Sequence, residues 1–580
     1  MKILLVYPYF IDRRINEEDV SAIPMGLYYV GAMLLANGYA VEILNAWDLG
    51  TNPDRIYRIL DDKRPDVIGF SILHANRWGG IDIARMVKKV NPQAHVVFGG
   101  VGATFLWEHF LQHFSEIDYV VRGEGETSFL ELVRYLEKKE TAAPDHIAGL
   151  AFRKEGRPCA TEDREPAADL DSLPMPADYF TFQHLSLTRG CPSGCTFCGS
   201  PAFWKRRTRF HSVDYFISQL QRLVSRGIRF FFVSDDTFTL KPNRVIEICR
   251  RIIELKLDIT WAAISRVDCV DGEMLAWMRR AGCTQISYGV ESGSPKIRAL
   301  YRKNISDADI CRAFALTVRF GIMARAYFIY GAPQESDATI DESLDLMRRI
   351  RPLSAIFYIL DLFPGTELYE QYKRRTGATD DIWLDRVEDI LYYETDETLD
   401  KQRVLEFGRR LREGYFAMLP EFAAAIELEE DPALFPLHAD FLSRLALTFS
   451  HGDYVANPAI GDRLPTAIRL FERALSYHPD HRAFWGLGLV YQQLQRWEDS
   501  VEILLRGIRH YAASADLRMA LANSLMRLGR PLEAHEHLLP VGDHPRAMEM
   551  LVHCCRLLKD HEGEKTWLDR LKAAAQAKSP

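Results

Sequence analysis

Along the first 140 residues, unbroken apolar runs alternate with stretches in which apolar positions recur every three or four residues. The runs KILLVYP (2–8), YAVEILNA (39–46), DVIGFSIL (66–73), HVVFGG (95–100) and DYVVRGEGE (118–126) predict strands ending in polar or Gly-rich turns. Between them, segments 26–38, 54–64, 80–92 and 104–114 carry helical periodicity. This alternation predicts a parallel, doubly wound α/β sheet whose ligands sit at the carboxyl ends of its strands. Residues 141–183, rich in Pro, Asp and Ala, read as a connector with a small hairpin, GLAFRKEGRPCA. A second strand and helix series fills 184–400, with strands expected at 230–236, 259–266, 285–294, 324–333 and 355–366. That is the pattern of a full or partial β/α barrel, with its active site on the same carboxyl face.

The pattern changes again toward the end. Residues 401–463 hold apolar helical patterning without an interpretable motif, and from 464 the chain repeats itself at a spacing of 34 residues. Leu487 aligns with Leu521, Gly488 with Ala522, Tyr491 with Leu525 and Ser500 with Ala534. A helix-turn-helix unit of that length is the signature of a tetratricopeptide array. Such repeats predict either a docking surface for a protein partner or a purely structural cap.

Composition narrows the picture. The 580 residues leave room for about three domains, each with a sizeable core. A formal net charge of -8, with no basic module after the barrel, argues against a nucleic-acid partner. No stretch approaches the ~20 apolar residues of a membrane span. The opening MKILLVYPYF reads as a buried strand rather than a signal peptide. Ten cysteines are too sparse for a disulfide scaffold, and a reducing cytoplasm is the expected setting.

Three of those cysteines, Cys191, Cys195 and Cys198, fall within eight positions in TRGCPSGCTFCGSPAFWKRR (188–207). Buried free thiols and a structural zinc site are the competing readings. A closed zinc site needs four ligands, and no partner Cys or His pair has suitable spacing. Three thiolates instead leave one iron of a cubane cluster open to a small molecule. With Phe197 before the last cysteine, the stretch resembles the C-x-x-x-C-x-x-C motif that defines the radical SAM superfamily.

Further fragments over 184–375 follow in the order this resemblance implies. Asp235 and Asp236 of VSDDTF would take the amino group of S-adenosylmethionine (SAM), unless one of them caps a helix. Ser265 and Arg266 of SRVD would meet its ribose and carboxylate, since a guanidinium fork fits a carboxylate. Glu291 of YGVESGS is implied as a SAM or substrate contact, and Gly331 of YGAPQES belongs to the adenine-side turn. LFPGTELYE (362–370) closes the barrel. Phe203 and Trp204 would shield the cluster or pack beneath its loop. Lys205, Arg206 and Arg207 form a solvated face, or a contact for the substrate or for the external electron donor.

The first domain resembles the cobalamin-binding domain fused to a large branch of this superfamily. The stretches that carry the likeness are PMGLYYVGAMLLANGYAVEILNA, PDVIGFSIL, FGGVGATF and VVRGEGETSF, with Gly102 and Glu124 among them. A dinucleotide domain is the structural competitor, but YPYFIDRR stands where a G-x-G-x-x-G loop would follow the first strand. The D-x-H-x-x-G motif of some corrinoid proteins is also absent. The resemblance therefore implies a displaced nucleotide tail near Ser71, Gly99 and Gly100, where missing side chains allow close approach. In the loop LHANRWGG (73–80), His74 would ligate cobalt or make ordinary hydrogen bonds, and Trp78 would cover the ring.

Together these likenesses imply a [4Fe-4S] cluster, SAM and cobalamin. They imply methylation of an unactivated carbon, one SAM methylating the corrinoid and a second giving the 5′-deoxyadenosyl radical. Cyclisation, rearrangement or carbon–carbon coupling without methyl transfer is the alternative within the family. A tetratricopeptide interaction protein with a degenerate front is the alternative of another class. The substrate is open among small molecules, lipids and peptides, and no residue emerges as the catalytic acid or base.

Overall fold

A computed structural model describes residues 1–11, 24–50, 52–138 and 143–576. Residues 12–14 of YPYFIDRR, the boundary expected at 140/141 and the last four residues lie outside the described residues. The chain forms two compact units, one of residues 1–313, 324–350 and 354–412, the other of 314–323, 351–353 and 413–580.

The first unit holds two sheets. Strands β1 (Lys2–Tyr7), β2 (Ala40–Asn45), β3 (Val67–Ser71), β4 (His95–Gly99), β5 (Tyr119–Val121), β6 (Leu150–Lys154) and β7 (Arg157–Ala160) form one. Their order is β2-β1-β3-β4-β5-β6-β7. The strands from β1 to β5 pair in parallel, and helices cover both faces, which is why these strands read as continuous apolar runs. The order reverses between β1 and β3, and the crevice at that switch point is where such sheets take ligands. The hairpin β6–β7 does not stand apart as a connector. It pairs antiparallel onto β5 and extends the first sheet past residue 140.

One helix begins earlier than its apolar periodicity suggests. Arg77, Trp78, Gly79 and Gly80 form the first turn of the helix Arg77–Val90 rather than a loop. The paired glycines look like loop chemistry, but here they allow contact. A Cβ on Gly79 would lie 2.1 Å from the Tyr9 carbonyl oxygen, and one on Gly80 2.6 Å from Ile72 Cδ1.

The second sheet contains β8 (His184–Leu185), β11 (Phe230–Val233), β12 (Thr260–Ser265), β13 (Cys283–Glu291), β14 (Met323–Tyr330) and β15 (Ser354–Ile359). They run in chain order as an open, partial barrel. The short strands β9 (Thr188–Arg189) and β10 (Arg209–Phe210) form a separate antiparallel ribbon. In the second unit, the helices beginning at His481 and Trp497 are followed by helices beginning at Ala515 and Pro531, each 34 positions on. Leu487, Leu521, Ala522, Leu525, Ser500 and Ala534 are all buried. A Cβ on Gly488 would meet Leu504 at 2.6 Å, so the small residue sets how closely paired helices approach.

Gly79→Ala should lower stability by about 1–3 kcal/mol, because backbone must move to admit the methyl group. Gly26→Ala, where a Cβ meets nothing within 4 Å, should be neutral or slightly stabilising. Denaturant titration of the two variants checks this, and equal effects would contradict the close approach.

Candidate active site

The cysteine loop is closed at its base and tethered along its length. Arg189 pairs with Arg209 and Thr188 with Phe210 across the β9–β10 ribbon. Gly190 has φ +99°, and a Cβ there would lie 2.1 Å from the Arg207 carbonyl oxygen, so only glycine fits this entry. Thr196 donates its N–H to Tyr301 O (3.0 Å) and its hydroxyl to Leu300 O (3.0 Å). Its own carbonyl accepts from Leu368 N at 3.0 Å. Phe197 packs edge-on against Tyr301, with ring centroids 5.0 Å apart. Ser193 Oγ accepts from Arg266 Nη1 (2.8 Å), and Ser200 Oγ donates to Asp236 Oδ2 (2.6 Å). Cys191 Sγ lies 3.8 Å from Thr237 Oγ1. The thiols are half-buried, and burial pushes Cys198 up to about 12 and raises Cys195.

The strand ends bring the other sequence-identified residues to the same carboxyl face. Asp235 is 2% exposed and turns inward. Its Oδ1 accepts from Ser186 Oγ (3.0 Å), Leu187 N (2.9 Å) and Thr188 N (3.1 Å), fixing the chain that leads into the loop. Burial raises its pKa to about 7 in spite of these donors. Asp236 faces the cavity instead, and neither carboxylate caps a helix. Ser265 shares a short hydrogen bond with Thr239. Arg266 holds Asp268 through two contacts, at 2.9 and 2.8 Å. Glu291, at φ +65°, accepts from Lys303 Nζ at 2.8 Å, with both side chains buried. Burial alone would lower the Lys303 pKa, but Glu291 beside it outweighs burial and raises it. Gly331, at φ +83°, donates its N–H to the buried carboxylate of Glu335, which burial raises to about 7.

A cavity of about 270 Å³ joins the two carboxyl faces. Ser71, Gly99, Gly100 and Glu124 line it from the first domain, and Arg189, Gly190, Phe203, Trp204 and Asp236 from the second. Its apolar depth, between Leu5, Gly69, Val97 and Phe129, lies at the β1/β3 switch point. Glu124 is fully engaged at the rim. It accepts from Arg189 Nη1 (2.6 Å), from both terminal nitrogens of Arg209 (3.0 and 2.8 Å) and from Ala167 N (2.8 Å). Burial would raise its pKa, and the two arginines outweigh that and hold it below the usual carboxylate range.

Of the first domain's loop residues, His74 makes the ordinary hydrogen bond that is one of its two expected readings. His74 Nε2 lies 3.1 Å from Asp389 Oδ1, and its ring packs on Phe363. Trp78 Nε1 donates to Asp385 O at 2.8 Å. Both belong to contacts with residues 363–389, and neither lines the cavity. Gly102 serves the fold, since a Cβ there would meet the Leu73 carbonyl carbon at 2.6 Å. Gly99 differs. A Cβ at that position meets protein only at 3.7 Å, and the position lines the cavity. Lys303, Ser193 and Arg189 were not singled out by sequence reasoning. Arg189 alone had a local signal, its place directly before the Gly190 turn.

These features fit the implied groups. Among the described residues, the three thiols do not converge within 4.8 Å of one another. A single tetrahedral zinc at about 2.3 Å from each sulfur needs closer ligands, whereas a multi-iron cluster spans the wider spacing. The Cys195 and Cys198 thiols, with raised pKa values, become thiolates beside a compensating cation. The Gly99 wall and apolar crevice suit the aromatic base that ends a displaced nucleotide tail.

Asp235→Asn keeps the Oδ1 acceptor and removes the buried charge. With its folded pKa raised, the wild-type carboxyl binds more protons folded than unfolded, so its contribution falls as pH rises from about 4 to 7. The variant should therefore gain stability relative to wild type by more than about 1 kcal/mol between about pH 5 and pH 7. Denaturant melts at the two pH values measure it, and a difference that does not move with pH would refute it.

Comparison with known proteins places the chain. Residues 19–133 match the B12 binding domain and residues 185–347 the radical SAM superfamily. An uncharacterized methyltransferase of Pyrococcus horikoshii is 31% identical over 382 residues, covering 64% of this chain and 83% of that protein. The anaerobic magnesium-protoporphyrin IX monomethyl ester cyclase of Rubrivivax gelatinosus is 26% identical, over 64% of this chain and 70% of its own. Among solved structures, the radical SAM methyltransferase TsrM from Kitasatospora setae, with cobalamin and [4Fe-4S] cluster, superposes with a TM-score of 0.59. It is 16% identical and covers 82% of this chain and 99% of its own. The cobalamin-dependent SAM radical enzyme OxsB, with aqua-cobalamin and SAM bound, gives 0.56 at 17% identity, over 98% and 84%. At these identities the two structures establish the fold. Among the described residues, no helix is long and apolar enough to cross a membrane. The chain belongs to the cobalamin-binding radical SAM enzymes, whose cofactors are a [4Fe-4S] cluster, SAM and cobalamin.

Proposed function

We propose that this enzyme methylates an unactivated carbon of a small-molecule substrate at the junction of its two carboxyl faces. The single observation that carries this reading is the cavity shared by Gly99 and Gly100 on one side and Gly190 and Asp236 on the other. Cys191, Cys195 and Cys198 hold the cluster. Asp236, Ser265, Arg266, Glu291 and Gly331 surround SAM, and Ser71, Gly99 and Gly100 receive cobalamin. When bound, the cluster supplies the electron that cleaves SAM and cobalamin supplies the methyl group.

The chain's own residues orient and shield these groups. Arg266 fixes Ser193 of the loop and offers a cation next to it. Lys303 and Glu291 place a neutral ion pair within electrostatic range of Cys195, so the pair adds no net charge beside the loop. Phe203 and Trp204 wall the cavity with apolar surface and exclude water. The C-terminal helices serve as a docking surface for a protein partner, and the setting is a reducing cytoplasm.

Replacing Cys191, Cys195 or Cys198 by alanine should abolish iron retention and 5′-deoxyadenosine formation, measured on anaerobically reconstituted protein. Gly99→Val should keep iron and lose cobalamin uptake by at least about tenfold, since its branches occupy the ligand space. In a turnover assay with SAM and reductant, methyl transfer yields both 5′-deoxyadenosine and S-adenosylhomocysteine. Formation of 5′-deoxyadenosine without S-adenosylhomocysteine, with substrate consumed, would favour the cyclase reading instead.

A further inference from the structure

The helix Trp107–His113 carries His109 and His113 four positions apart, which puts both imidazoles on one side. Their ring centroids are 5.0 Å apart. His113 Nε2 lies 3.1 Å from Asp381 Oδ1, in the turn Asp380–Leu384 that follows the barrel. One donor atom from each of His109, His113 and Asp381 lies within 4.8 Å of the other two. His109 is 4% exposed, and among the described residues neither of its ring nitrogens has a hydrogen-bond partner. A buried imidazole with both nitrogens unmatched needs a physical explanation in a native fold.

We propose that His109, His113 and Asp381 form a binding site for a divalent first-row transition cation, with Zn²⁺ the ion that fits. Two borderline imidazoles with one carboxylate make a ligand set of the kind Zn²⁺ takes, whereas Mg²⁺ and Ca²⁺ prefer all-oxygen shells. Tetrahedral bonds of about 2.0–2.1 Å put neighbouring donors roughly 3.3 Å apart, close to the separation of His113 and Asp381. The Asp381 side chain is 64% exposed, so it can rotate to complete the shell, and water takes the fourth position from the solvent side. The cation ties the first domain to the segment after the barrel. That segment is gripped nearby by Arg77, which donates to the carbonyls of Trp383, Asp385 and Glu388. Arg386 also holds Asp82, at 3.1 and 2.6 Å. None of the three residues lines the cavity, and none belongs to the cysteine loop.

The test uses the full chain with its iron–sulfur cluster reconstituted, freed of loosely held metal and equilibrated with Zn²⁺, followed by measurement of zinc and iron per chain. Wild type should hold about one zinc per chain and show a zinc-dependent rise in Tm. His113→Ala and Asp381→Asn, both on the open side of the site, should each weaken zinc binding by at least about tenfold and abolish the Tm rise. Their iron content should stay at the wild-type value, which separates this site from the cluster. His109→Gln should lose zinc in the same way without emptying the buried position. Wild-type protein that takes up no more zinc than the His113→Ala/Asp381→Asn double variant overturns the proposal. So does zinc that persists in these variants and disappears only with Cys191, Cys195 and Cys198 replaced.

Discussion

The cysteine loop hangs from one buried ion cluster. Arg189 sits between Glu124 at 2.6 Å and Glu126 at 2.7 Å, with its guanidinium 4.5 Å from the centre of the Tyr29 ring. Tyr29 Oη meets His211 Nε2 at 2.9 Å, and His211 Nδ1 meets Asp171 Oδ1 at 2.9 Å. Taking such charges out of water is costly, and it is repaid only where every donor finds its acceptor. Here both terminal nitrogens of Arg189 find a carboxylate of the first domain. The cluster therefore fixes the first cysteine relative to the first sheet, and its contribution is register more than net stability.

From that anchor the rest follows by short steps. Arg189 and Arg209 face each other across the ribbon that closes the loop, and both reach Glu124. Asp235 holds the incoming strand through three donors and leaves its neighbour Asp236 toward the cavity. The same rim thus binds the domains together and shapes the space between them.

Much of this was legible in the sequence, because periodicity reports which faces are buried. All five strands expected in the first domain form, and the residues picked from the second series stand at strand ends on one face. What escaped was long-range. Glu124 looks like a ligand contact in the string VVRGEGETSF, and only the fold shows Arg189 and Arg209 filling its acceptors, 65 and 85 positions away. Trp78 reads as a cofactor neighbour because it follows a strand end, and His74 as a cobalt ligand or an ordinary hydrogen-bonding residue. Their partners at Asp385 and Asp389 lie more than 300 positions off, where local pattern carries no information. The hairpin 150–160 carried strand signals but none for its pairing with β5, since edge addition depends on a free neighbour rather than on composition.

The grip of Arg77 on the segment after the barrel has a consequence for descent. Its guanidinium reads main-chain carbonyls of Trp383, Asp385 and Glu388, not their side chains. Any residue presents a carbonyl, so the letters at those positions can drift while the path of the chain is inherited. Two distant cousins could share this strap and show no matching letters along it, and the buried arginine would be the trace of common ancestry.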